Sequence, residues 1–159
     1  MKYFTFSWWA GDDSEEEAKP RDYSAYIGSI LPDLPTDLQR FVRSCSLHDA
    51  GLTRLRQSVA ERSLTLELVG GCYDDSLPNS YARRFRLTYL GVSEFVSTAN
   101  PNQGLGGPPG YGDLGYDEIE MVEPGLYEHR MIFSTSIEFQ VRFGGFSLWY
   151  EDFEFHRDA

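Results

Sequence analysis

His48 and Asp49 stand side by side in Ser46-Leu47-His48-Asp49-Ala50, and His129 follows far along the chain. An imidazole beside a carboxylate suits proton transfer, and with further donors it suits metal binding. These three residues define one candidate pocket, that of a small hydrolase or ligand-binding domain lying beneath the segment 100–115. His156, near the tail, is the only other histidine. A metal site would need imidazoles from distant strands to converge with a carboxylate, so no metal is assigned. The corner has a plainer use as well: short polar side chains satisfy the backbone groups that a turn leaves unpaired.

Other catalytic arrangements lack parts. There is no G-x-S-x-G, and Gly104 to Gly110 misses G-x-G-x-x-G because Pro109 stands where the last glycine belongs. No lysine follows Lys19 to serve a Walker motif, and prolines remove amide donors that a phosphate cradle uses. Asp113, Asp117, Glu118 and Glu120 do not follow the order of a calcium loop. Cys45 and Cys72, the only cysteines, lack C-x-x-C spacing and are expected to be reduced. No catalytic residue and no cofactor is assigned, and the balance leans away from an enzyme.

A second candidate is a surface. From Asp113 to Glu128 there are six carboxylates and no lysine or arginine, bordered by tyrosines. Tyr111, Tyr116, Asp117, Glu118, Glu120 and Tyr127 would together give a basic protein ring area for contact and charge for steering. Acids on an exposed strand also discourage edge-to-edge pairing, and that reading stays open. The formal net charge of −11 repels phosphate backbones and anionic lipid, so neither nucleic acid nor membrane is an expected partner. Met1 to Trp9 lacks the form of a secretory signal and no stretch approaches the roughly 18 apolar residues of a span. A cytoplasmic location is the expectation.

The elements that must carry these residues fall into two halves. With 159 residues, 41% hydrophobic and 15% aromatic, one domain over 1–159 with a real core is expected. Residues 1–48 hold an aromatic strand at Lys2 to Trp9, then a helical hairpin. Its first helix runs from Asp22 as N-cap with Tyr23, Tyr26, Ile27, Ile30 and Leu31 on one face. Its second starts near Pro35 with Leu38, Phe41, Val42 and Cys45 on one side.

From 49 onward the repeat changes to two. Leu64, Leu66 and Leu68, then Phe85, Leu87 and Tyr89, then Ile137, Phe139, Val141 and Phe143 alternate with polar residues, the pattern of antiparallel strands with one wet face. Gly144-Gly145 predicts a two-residue hairpin, and Ala60-Glu61 an earlier one. Residues 100–115, with six glycines and three prolines, form a long loop, a flap or a disordered segment. The fold class is α+β: an N-terminal helical hairpin packed on a curved, mainly antiparallel meander of about six or seven strands.

The order Met1-Lys2-Tyr3-Phe4, Trp8-Trp9, Leu31-Pro32, Leu34-Pro35 and Ser46-Leu47-His48-Asp49-Ala50 resembles an uncharacterised family of small bacterial proteins with an aromatic N-terminus and an S-L-H-D-type corner. More loosely, it is similar to the immunity proteins of polymorphic-toxin systems. That resemblance implies a non-enzymatic protein that occludes a basic toxin. It transfers no catalytic residue.

Overall fold

The computed structural model describes residues 2–9, 11, 18–71, 81–99 and 108–154. Cys72, His156 and residues 100–107 of the predicted loop lie outside them. The expected first strand is instead a turn followed by a short helix α1 (Phe6–Trp9). Thr5 starts it, its hydroxyl accepting from the Trp8 N–H at 3.2 Å and its carbonyl from the Trp9 N–H at 3.0 Å. A threonine cap has overridden the strand preference of the aromatics.

Helix α2 (Ala18–Ile30) begins four residues ahead of Asp22, because Pro20 fits a first helical turn and needs no intrahelical N–H partner. Pro32 ends it in a single 3-10 turn, Leu31–Asp33. Helix α3 (Thr36–Ser44) opens after Pro35, with Asp37 in its first turn and Arg43 in its last, both matched to the helix dipole.

Eight strands follow: β1 (Ala50–Ser58), β2 (Ser63–Gly71), β3 (Tyr81–Leu90), β4 (Glu94–Ser97), β5 (Asp113–Glu123), β6 (Leu126–Phe133), β7 (Glu138–Phe143) and β8 (Gly145–Glu154). They form one sheet ordered β4-β7-β6-β5-β1-β2-β3-β8, every neighbouring pair antiparallel. The turn at Ala60-Glu61 does join paired strands, Ser58 facing Ser63. Two expectations need correction. The strands number eight, and the order is a meander only within β1-β2-β3 and β5-β6-β7.

Gly144-Gly145 is not a hairpin. β7 pairs with β4 and β6, whereas β8 pairs with β3. Gly144 donates its N–H to the Leu90 carbonyl at 3.0 Å, and Ser93 donates to Arg142 at 2.9 Å. The segments β3–β4 and β7–β8 are thus two long partners, interrupted at the same level by Gly91 (φ +61°) and Gly144. A paired glycine pattern reads alike for a reversal and for a bend shared by neighbouring strands.

The curl encloses the core. Leu64, Leu66, Leu68, Phe85, Leu87, Tyr89, Phe139, Val141 and Phe143 are all buried, so the apolar members of each alternating run face the core. Both helices reach the core, α2 through Ile30 and α3 through Leu38 and Phe41, and each also covers a strand edge. α3 runs along the open edge of β8, where Asp37 accepts from the Leu148 N–H at 2.9 Å and Arg40 donates to the Leu148 carbonyl at 2.7 Å. α2 covers the edge of β5 beyond its short pairing with β1, the Tyr23 and Tyr26 hydroxyls accepting from the N–H groups of Ile119 and Met121. Side chains thus satisfy backbone groups that would otherwise invite another strand. Among the described residues no helix is long and apolar enough to cross a membrane.

Candidate functional site

The corner between α3 and β1 is held by its own backbone. Asp49, in the left-handed region at φ 60° that aspartate tolerates better than most residues, donates its N–H to the Leu114 carbonyl at 2.8 Å. Ser46 Oγ accepts from the His48 N–H at 3.3 Å. The His48 ring reaches β5, its Nδ1–H donating to the Gly115 carbonyl, while Nε2 stands 3.7 Å from Asp49 Oδ1.

At Gly115 β5 slips register between Leu114 and Tyr116, a bulge that re-aims the following side chains. A cleft of about 380 Å³ opens there, lined by Ser46, His48, Gly115, Tyr116 and Asp117. A second, of about 270 Å³, lies between α2 and α3 and is lined by Tyr23, Ile27, Phe41, Val42, Cys45, Ser46 and Asp117 among others. Ser46 and Asp117 belong to both.

Asp117 is therefore the hub. Its Oδ2 lies 3.0 Å from Nε2 of the fully buried His129, and its side chain keeps 21% of its surface. Behind it, His129 Nδ1 lies 2.7 Å from the Tyr89 hydroxyl. Burial, then the Asp117 charge, pushes the Tyr89 phenol well above its ordinary range. A phenol that keeps its proton can donate it to Nδ1. His129 then presents Nε2–H to the Asp117 carboxylate, so both ring nitrogens are matched while Asp117 keeps acceptor sites toward the cleft.

Tyr116 forms the wall. Its ring packs against Phe4 (5.2 Å), Trp8 (4.9 Å), Trp9 (5.9 Å) and His48 (5.3 Å). The N-terminal segment that supplies these rings is tied down by Glu118, whose carboxylate accepts from three successive N–H groups, those of Lys2, Tyr3 and Phe4.

The proposed acidic surface is divided by these contacts. Glu118 and Tyr127 are buried, at 2% and 4% exposure, and face no solvent partner. Glu118, Glu120 and the wholly buried Glu128 converge on Arg130, and Arg142 also pairs with Glu128. Tyr111 packs on Phe133 and Phe139. Of the six, Tyr116 and Asp117 line the clefts. Of the alternative pocket, His48 lines the larger cleft, His129 stands behind Asp117 and Asp49 faces His48.

Tyr89, Tyr23 and Phe41 were not foreseen as site residues. Tyr89 carried a signal, a hydroxyl on an otherwise apolar strand face, which needs a partner once buried. Burial pushes the Cys45 thiol up to about 11, which makes it a poor nucleophile. Among the described residues no group of three or more His, Cys, Asp or Glu side chains is placed to hold a metal ion. No protein-family model and no curated protein matches this chain.

Proposed function

We propose that this is a non-enzymatic binding domain for a basic protein, and that an arginine or lysine side chain of the partner enters the cleft at Asp117. The specific form of the reading is an immunity protein that neutralises a basic toxin. The observation that carries it is Asp117 itself, a carboxylate fixed from behind by buried His129, open in front to a cleft walled by the Tyr116 and His48 rings. A carboxylate has about four acceptor sites, and His129 uses one. A guanidinium can take the remainder while its plane stacks on an aromatic ring. The net charge of −11 steers a basic partner toward the molecule.

The test is co-purification with the product of the adjacent gene, then a salt series on the wild type and on Asp117→Asn. Affinity should fall with salt and drop about tenfold or more in the variant, the cost of losing one buried charged contact. Affinity indifferent to both would remove the basis of the proposal.

A second reading rests on the cleft's size. About 380 Å³ falls within the range of small-molecule sites, and favours a ligand-binding pocket for an organic cation. Calorimetry with arginine amide against full-length partner distinguishes the two, since a pocket for a free ligand binds the amide on its own.

A further inference from the structure

The outer face of the β1-β2-β3-β8 half is chemically opposite to the rest of the chain. Cross-strand register places Arg54, Glu67, Arg86 and Trp149 in one row across four strands. Arg56, Thr65, Thr88 and Ser147 form the next row, and Val69, Arg84 and Glu151 the one on the other side. Four guanidiniums and two carboxylates give this face a net positive charge on a molecule of net −11. None of its residues lines the Asp117 clefts.

The guanidiniums stand outward. Side chains of Arg54, Arg84 and Arg86 are half exposed, whereas Glu67, which Arg54 and Arg86 share, is recessed between them at 20%. Arg86 lies over the Trp149 ring and Arg84 over the Phe153 ring, each at 5.2 Å. Stacking on a ring holds a guanidinium plane still; Arg86 gives its Nε–H to Glu67 at 3.2 Å and Arg84 lies 3.7 Å from Glu151, so it is their remaining N–H groups that an incoming anion would take. Arg56 is exposed and pairs with no acid among the described residues.

We propose that this face docks an extended acidic peptide segment of a partner protein. Spacing selects that occupant. Arg54 and Arg56, like Arg84 and Arg86, are two residues apart on a strand, a repeat of about 7 Å. Same-side carboxylates of an extended peptide repeat at the same interval, so a segment laid along the strands can set an acid on each arginine. Glu67 and Glu151, interleaved with the arginines, oppose a chain charged at every unit, whereas a peptide with spaced acids can avoid them. Trp149, 41% exposed, gives such a peptide apolar contact beside the charges.

The experiment is fluorescence anisotropy of a labelled alternating glutamate–serine peptide with the full chain and its Arg56→Glu, Arg84→Glu and Asp117→Asn variants. A labelled oligothymidylate is run alongside, with sedimentation of the unlabelled chain. Saturable peptide binding, weakened about tenfold by either arginine reversal and unchanged by Asp117→Asn, is expected. Arg56→Glu breaks no ion pair among the described residues, so its effect reads docking separately from folding. Absent peptide binding, indifference to both reversals, tighter binding of oligothymidylate, or arginine-dependent self-association that the peptide does not displace would each overturn the proposal.

Discussion

The Tyr89 hydroxyl and His129 Nδ1 lie 2.7 Å apart although β5, β1 and β2 separate their strands in the sheet. The bond crosses the interior and joins the two halves of the curled sheet. Tyr89→Phe removes the donor but leaves a fully buried imidazole nitrogen without its partner, a loss of roughly 1–3 kcal/mol. Tyr89→Phe with His129→Leu removes both buried polar groups. Asp117, still partly exposed, recovers water as a partner. The double variant should therefore be more stable than the sum of the single effects, with urea denaturation as the measurement and a cycle as the readout.

Glu118 anchors the N-terminal segment. Its carboxylate serves three N–H groups and Arg130. Glu118→Ala should cost roughly 2–3 kcal/mol, the scale of charge-assisted hydrogen bonds lost from a buried acceptor, since Arg130 keeps Glu120 and Glu128. Buried Trp8 would then meet water. A red-shifted tryptophan emission and early proteolytic loss of the first residues are the expected signs. An unshifted spectrum would show that ring packing alone holds the segment.

What could be read from the sequence follows from where each signal resides. The alternation at Leu64–Leu68, Phe85–Tyr89 and Phe139–Phe143 reports burial on one face, a local property, and it placed those strands correctly. Pairing is not local. Nothing in Phe143-Gly144-Gly145-Phe146 distinguishes a reversal from a bend matched by Gly91 on a neighbouring strand fifty-odd residues away in the chain. Lys2 to Trp9 misread as a strand because its aromatics suit one, while the groups that decide its course, Thr5 and the distant Glu118, act through single hydrogen bonds. Asp117 was visible as one acid among six, and Ser46 and His48 as a polar corner. Their meeting depends on the bulge at Gly115, which leaves no periodic trace.

Alkaline pH should unfold this protein early. Burial raises the phenols of Tyr23, Tyr26 and Tyr89 above their ordinary 10.0, with Asp117 adding to Tyr23 and Tyr89, and burial raises the Cys45 thiol from 9.0 to about 11. The folded state holds these protons more tightly than the unfolded chain. Their stabilisation is complete below the unfolded values and is lost as pH rises through about 9 to 10 and beyond. Urea midpoints measured from about pH 8 to about pH 11 should fall, and Tyr89→Phe should flatten the fall. A flat wild-type profile would contradict the assignment.

Two glycines test whether the cleft's shape, and not only the fold, matters for binding. A Cβ on Gly70 would meet the Cβ of Ala50 at 2.8 Å and its Cα at 3.0 Å, backbone that β1 cannot withdraw. A Cβ on Gly115 would meet the ring of Trp9, its nearest atom at 2.5 Å, and a side chain's far end can swing away. Gly70→Ala should therefore cost roughly 1–3 kcal/mol as an overpacked site. Gly115→Ala should cost only about 1 kcal/mol, the worth of the Trp9–Tyr116 edge contact it displaces. Partner affinity should rank the other way, because Gly115 lines the cleft beside Tyr116 and Asp117 whereas Gly70 does not. Denaturation and binding assays on both variants read the two orders independently, and affinity that merely tracked stability would show that the cleft has no part in recognition.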